Sequence, residues 1–168
     1  NEDGSFNLLV GATDLGTGSD TALAQIAAEV LEVPVHNINV YSSDTDLTPF
    51  DTGAYASSTT YVSGGAVKKA AEKVKELILS QGRKFLNSEI VRIDNELVIA
   101  DNGDTISFSD LCTQSFYTEN QMQIMAEASN MSFDSPQPFN ATFAKVDVDI
   151  ETGIVHVKKI VSVTDAGR

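Results

Sequence analysis

The stretch "GTGSDT", Gly16 to Thr21, sets two glycines one residue apart directly before a run with helical spacing. The first N–H groups of a helix lack intrahelical partners and sit at the positive end of its dipole. Glycines carry no Cβ to hold an anion at a distance, so this pattern can bind phosphate. A tight turn leading into a capped helix explains the same residues, and short glycine motifs do not decide between the two. The pattern lacks the GK[ST] ending of a Walker loop and does not match the dinucleotide G-x-G-x-x-G spacing. Asp20 at the mouth suits a helix start but repels a phosphate, unless it turns away or accepts a ligand hydroxyl.

A second stretch, "DTGAYASSTTYVSGGAV", Asp51 to Val67, has the same character. Ser57, Ser58, Thr59 and Thr60 are donors just ahead of another helical run, while Gly53, Ala54 and Ala56 leave the approach open. Taken alone it reads as a hydroxyl-rich surface loop. Two such loops, each ahead of a helix, favour one shared site. The net charge is −13, so a polyanion there would be held by backbone N–H groups and hydroxyls more than by cations. The same charge argues against a nucleic-acid surface, which needs Lys and Arg patches.

Other chemistries find little support. "SSDTDLTPFDTG" offers Asp44, Asp46 and Asp51, but an EF-hand needs Gly at its sixth position and Glu at its twelfth. Those positions hold Pro49 and Tyr55. His36 and His156 are the only histidines and Cys112 the only cysteine, too few for a zinc site. No nucleophile–base–acid set is evident. No residue is therefore assigned a catalytic or a metal-ligating role.

The elements that must position these loops follow from periodicity. "SFNLLVGAT" reads as a strand, and a helix is expected from about Ser19 to Leu31, with Leu23, Ile26, Ala27, Val30 and Leu31 at helical spacing. Ser19 or Asp20 is the expected N-cap. Pro34 ends that unit, and "NINVYS" reads as a strand returning beside the first. After a long polar loop, a second helix is expected from about Ser63 to Ser80, with Lys68, Lys73 and Lys75 solvated. "IVRIDNELVIADNGDTISF" reads as a hairpin or meander and "SDLCTQSF" as a short capped helix. Phe139 to Val163 reads as a long hairpin turned by "ETG". Ala144, Val146, Val148 and Ile150 should share a buried face with Val155, Val157, Val161 and Val163, leaving Asp147 and Asp149 outside. The expected fold class is α+β, helices packed on largely antiparallel β-sheet. The expected organisation places the two loops and two helices in about residues 1–80 and the hairpins and short helix in about 84–168.

With 168 residues, 42% hydrophobic and 21% charged, the composition is that of a globular domain. No apolar run reaches the roughly 18 residues of a membrane span, and nothing resembles a signal peptide. One cysteine excludes an internal disulfide and fits a reducing cytoplasm. The chain begins at Asn1 and stops at "VSVTDAGR"; both ends read as cuts in a longer polypeptide.

From "GTGSDTALAQIAAEVL" through "DTGAYASSTTYVSGGAV", and again at "AKVDVDIETGIVHVKKIVSVTDAGR", the chain resembles the molybdenum hydroxylases of the xanthine dehydrogenase and aldehyde oxidase family. The resemblance covers most of the chain and is to part of the large, molybdopterin-binding subunit. Bacterial purine and N-heterocycle hydroxylases, acting on substrates such as xanthine and nicotinate, are the most similar in character.

The resemblance implies a molybdenum cofactor whose metal is held by the pterin dithiolene, with no protein ligand. It implies that Gly16, Thr17, Gly18, Ala56, Ser57, Ser58 and Thr59 wrap the pterin and its pyrophosphate. Many members carry Gln where this chain has Thr17, so a longer polar contact is shortened or lost. The family's glutamate base and an upstream Gln donor fall in segments that this chain does not contain. The family reaction hydroxylates a purine, other N-heterocycle or aldehyde with oxygen from water. Its electrons leave through iron–sulfur and FAD (flavin) partner subunits or domains. The chain would then be an inactive part of a cytoplasmic oxidoreductase, needing the rest of its subunit. A stand-alone module binding a phosphorylated ligand, and an acidic or calcium-modulated interaction domain, are the other readings.

Overall fold

The computed structural model describes residues 1–119, 121–134 and 137–165. The chain divides into two units, Asn1–Ser132 and Phe133–Arg168.

The first unit opens with β1 (Phe6–Val10), α1 (Ser19–Leu31) and β2 (Ile38–Ser42). β1 and β2 pair in parallel, from Phe6 opposite Ile38 to Val10 opposite Ser42. A parallel pair needs a crossover, and α1 supplies it. Leu23, Ala24, Ala27, Ala28 and Leu31 are buried along one side of α1, as the apolar spacing requires. Glu32 ends the helix in the left-handed conformation (φ 57°), and Pro34 precedes the short 3₁₀ turn Val35–Asn37.

After the loop 43–58 comes a single π-helical segment, Thr59–Ser63, which runs into α2 (Gly64–Phe85). α2 is longer than its sequence pattern indicates and stays helical through Gly82. Gly82 is where the helix crosses the meander: a Cβ there would lie 2.5 Å from Val98 Cγ1. Gly64 plays the same part against α1, where a Cβ would come within 2.8 Å of Ile26 Cδ1. Lys73 and Lys75 are not merely solvated. Lys73 Nζ donates to the Glu127 carbonyl at 2.8 Å, and Lys75 pairs with Glu32 at 2.6 Å.

The meander consists of β3 (Val91–Asp94), β4 (Leu97–Ala100) and β5 (Thr105–Ser107), antiparallel throughout. Ser107 then caps α3 (Phe108–Phe116), its Oγ accepting the Asp110 N–H at 3.0 Å. Leu23, Ile78, Val98, Phe108 and Leu111 are the largest apolar side chains fully enclosed. Phe6 meets Phe108 edge-on, with ring centroids 6.1 Å apart. These contacts join the parallel pair, α2, the meander and α3 around one core.

The second unit is the hairpin of β6 (Phe139–Val148) and β7 (Val155–Asp165). Its turn is held by Asp149, whose Oδ1 accepts the Glu151 N–H at 2.9 Å. Two expectations fail here. Val146, Val148, Val155 and Val157 are 40, 53, 55 and 58% exposed rather than buried, because a two-stranded ribbon has no second layer of its own to cover them. Val161 and Val163 also do not continue the face of Val155 and Val157. Lys145 lies opposite Lys159 while Val146 lies opposite Val157, so Lys158 is an extra residue in β7. Such a bulge shifts the alternation by one. Val161 and Val163 therefore join Phe143 and Ala141 on the other face. The apolar side of the ribbon changes face at its middle. Asp147 is on the surface as expected, paired with Lys158 at 2.9 Å.

Candidate functional site

Because β1 and β2 are parallel, the segments that follow Val10 and Ser42 leave from the same end of the pair. The first runs to the start of α1. The second crosses the first at Gly11, where a Cβ would meet the Pro49 carbonyl oxygen at 2.1 Å and Asp51 at 2.9 Å. Ser43 ties the same crossing from the other side, its Oγ donating to the Ala12 carbonyl at 3.2 Å. Asp51 then reaches the head of α2: its Oδ2 accepts from Ser63 Oγ and its Oδ1 from the Gly53 N–H, each at 2.8 Å. Asp51 is thus occupied within its own loop. Among the described residues no group of three or more metal-binding side chains converges.

The glycine turn is built around Asp14. Its Oδ1 accepts the N–H groups of Gly16, Thr17 and Gly18 at 2.8, 2.9 and 3.2 Å, and its Oδ2 faces the Asp20 N–H at 3.5 Å. Partial desolvation pushes the Asp14 carboxyl up, but these four N–H groups outweigh it and hold it below the ordinary 3.8. Gly16 and Gly18 have φ of 88° and 74°, which glycine adopts freely. Gly18, and neither Ser19 nor Asp20, is the N-cap of α1. The capping carboxylate comes from four residues earlier, so both side chains expected to cap are free for other contacts.

Those side chains are enclosed and only partly satisfied. Asp20 Oδ2 accepts from Ser42 Oγ at 3.0 Å. Asp20 Oδ1 and Ser19 Oγ are buried without a partner. A buried carboxylate oxygen without a donor is costly. Gly16 and Gly18 border open space, with nothing within 4 Å of where a Cβ would be. The surface of this turn that faces outward thus consists of Thr17, an open backbone and the first turn of α1.

In the second loop Ala56 and Ser57 are exposed and consecutively left-handed, with φ of 53° and 56°. Non-glycine residues adopt this conformation at a cost of roughly 1–2 kcal/mol each, and such strain gathers at functional loops. Ser58 and Thr59 are half-buried where the chain enters the π-helical segment. Ser58 Oγ donates to the Gly53 carbonyl at 3.3 Å. No acidic residue lies in the first turn of either the π-helical segment or α2, whereas α1 carries Asp20 there. The two helix starts are electrostatically unlike. His36 and His156 are exposed and far apart in the sequence. Cys112 is half-buried in α3, where burial pushes its thiol up.

Sequence reasoning missed Gly11 and Asp14 and weighed Asp51 only as a calcium ligand, whereas all three shape the loops. The signal was present in "DLG" and "DTG": an Asp two residues ahead of a Gly is suited to accept the N–H of that Gly in an Asx turn.

An α+β unit in which two open loops leave one end of a parallel strand pair and reach two helix starts is an architecture for holding a ligand. The whole chain, residues 1–168, matches the family model of the molybdopterin cofactor-binding domain, and the chain belongs to that family. It is 36% identical over 175 residues to the xanthine dehydrogenase molybdenum-binding subunit of Escherichia coli O157:H7, covering 100% of this chain and 23% of that protein. It is 37% identical over 112 residues to a nicotinate dehydrogenase subunit of Pseudomonas putida, covering 66% of this chain and 9% of that protein. Among solved structures, a Cu,Mo-CO dehydrogenase superposes with a TM-score of 0.83 at 25% identity, over 99% of this chain and 22% of that one. Quinoline 2-oxidoreductase from Pseudomonas putida 86 gives 0.81 at 25% identity, over 99% and 22%. The chain thus spans less than a quarter of the length of these relatives.

Proposed function

We propose that this chain is a portion of the molybdenum-binding subunit of a xanthine-dehydrogenase-like oxidoreductase, and that its two loops cradle the molybdopterin. The observation behind this reading is the pair of open loops at the head of β1 and β2, in a chain that matches the cofactor-binding family along its whole length. Gly16, Thr17, Gly18, Ala56, Ser57, Ser58 and Thr59 are the residues we assign to the cradle.

The residues present fit such a group, with a division of labour. Asp14 already holds the N–H groups of Gly16, Thr17 and Gly18, so this turn contributes shape, Thr17 and the two orphaned oxygens of Ser19 and Asp20. Asp20 Oδ1 can accept a hydrogen bond and repels phosphate, which suits a ring N–H or amine. Ser57 and Thr59, beside a helix start without acids, suit the pyrophosphate, and Ser58 would join them by turning its hydroxyl from the Gly53 carbonyl. Hydrogen bonds to a charged group contribute roughly 1.5–3 kcal/mol each, so a few can offset the desolvation of the ligand.

The bound cofactor would supply the oxygen-transfer and redox chemistry. We assign the whole enzyme the hydroxylation of a purine, other N-heterocycle or aldehyde with water as oxygen source, and iron–sulfur and FAD partners as electron acceptors. A cytoplasmic location is part of the same reading. No helix among the described residues is long and apolar enough to cross a membrane.

The test is molybdenum and pterin analysis of the full-length subunit, alongside its Gly18→Val variant. Stoichiometric metal and pterin in the first and their loss in the second, with an unchanged circular dichroism spectrum, are expected. A full-length protein that carries a phosphorylated ligand without pterin or molybdenum would overturn the reading.

A further inference from the structure

Between α3 and the second unit, residues 121–131 cross the surface of α2 as an extended segment outside any strand pair. Its burial alternates strictly. Met122, Ile124, Ala126, Ala128 and Asn130 are half-buried and the residues between them are exposed. Period-two burial is the signature of a β-strand lying on a core, and Ile124 packs against the core cluster.

The segment is fixed in place by side chains rather than by a neighbouring strand. Lys73 Nζ donates to the Glu127 carbonyl at 2.8 Å and Lys69 Nζ to Asn130 Oδ1 at 2.6 Å. Asn130 Nδ2 donates to the Val62 carbonyl at 3.2 Å, and Gln81 Nε2 contacts Met122 Sδ at 3.0 Å. Gly65 makes room for this clamp, since a Cβ there would lie 2.3 Å from Asn130 Nδ2. The Met122 N–H donates to the Ser115 carbonyl at 2.9 Å. From residue 123 to 131 no backbone group bonds another backbone group among the described residues.

A strand that is extended, anchored and unpaired presents a row of N–H and C=O groups without backbone partners, of which the Glu127 carbonyl is taken by Lys73. The chemical complement of such a row is another extended backbone. We propose that residues 123–131 are the docking edge for a β-strand contributed by the part of the longer subunit outside residues 1–168. The inference rests on the reading that the chain is part of such a subunit, to which the less-than-quarter coverage of the relatives points. It does not depend on the cofactor. The side chains suit the partner: Met125 and Met131 are 68 and 74% exposed, and Glu127 is the only charge between residues 121 and 131. The incoming strand would therefore be apolar or neutral, because cross-strand neighbours pair by like polarity. Ordering has already occurred in the docking strand, so only the incoming strand loses conformational freedom.

Residue-resolved hydrogen–deuterium exchange on the full-length subunit tests this. Successive N–H groups of a strand point to opposite edges, so pairing along one edge protects every second amide. Slow exchange at alternate residues between 123 and 131, at least about tenfold slower than at the residues between them, is the expected result. Uniformly fast or uniformly slow exchange overturns the proposal. Alternating protection that is lost on dilution would assign the partner to a second copy and overturn the assignment to the same polypeptide. Molybdenum content is read on the same sample, so failure of the cofactor reading shows independently of the exchange pattern.

Discussion

The backbone at Gly11 lies against the Pro49 carbonyl so closely that a Cβ would come within 2.1 Å of the oxygen. This contact is where the glycine-turn segment and the hydroxyl-rich loop cross, and backbone on both sides leaves neither free to give way.

Gly11→Ala should therefore displace the hydroxyl loop. Overpacking typically costs 1–3 kcal/mol, and a backbone clash belongs at about 3 kcal/mol or more. Denaturant unfolding of the full-length subunit should show that loss, together with a fall in molybdenum content. Gly16→Ala provides the contrast, since nothing lies within 4 Å of that Cβ. It should show only the penalty for its φ of 88°, about 1–2 kcal/mol.

Asp14 makes the order of the glycine turn depend on pH. Its folded carboxyl titrates below the ordinary 3.8, so its stabilising effect is present above that value. The effect is lost as pH falls through the lower folded value. Amide exchange at Gly16, Thr17 and Gly18 should be slow at neutral pH relative to Asp14→Ala, and the difference should vanish once Asp14 is protonated. A variant with unchanged exchange at neutral pH would show that the carboxylate does not hold these amides.

Gly82 lies under Val98 in the last turn of α2. Gly82→Ala gains about 1 kcal/mol of helix propensity but sets a methyl against a branched side chain that cannot rotate clear. The packing loss should win, lowering stability by about 1–2 kcal/mol. In a Val98→Ala background Gly82→Ala should cost less than it does alone, which unfolding of the two single variants and the double variant measures.

Much of this fold was legible because its helices and meander follow simple periods. The apolar spacing of Leu23, Ala27 and Leu31 placed α1 at its observed limits, and "DNE" and "DNGD" marked the turns of the meander. α2 outran its pattern since Gly82, a helix weakener by propensity, is required there by Val98. Of the candidate site, the residue types were readable but the occupancy was not. Nothing in "DLGTG" states whether the turn's N–H groups face a ligand or Asp14, a matter settled by the reach of one carboxylate. Residues 121–131 gave no strand signal because Ala126, Ala128 and Asn130 are too small or polar to mark an inner face.

The hairpin bulge escaped the sequence reading for a different reason, and it supports the last prediction. One extra residue changes the face of everything beyond it without altering composition. Lys158 is that residue, and its visible interaction is an ion pair with Asp147 in which both side chains are over half exposed. Such a pair contributes about 0–1 kcal/mol, so Lys158→Ala, which keeps the bulge, should be nearly neutral. Inserting one residue between Lys145 and Val146 gives Lys158 a partner, removes the bulge and brings Val161 and Val163 onto the face of Val155 and Val157. Phe143 and Ala141 would then share that face with Val146 and Val148. A ribbon with apolar side chains on opposite faces of its two halves suits neighbours on opposite sides, so the insertion should expose one half of that surface. In the full-length subunit the insertion should sharply lower soluble yield and melting temperature while Lys158→Ala leaves both close to wild type. Equal behaviour of the two variants would mean that the change of face is not what the bulge provides.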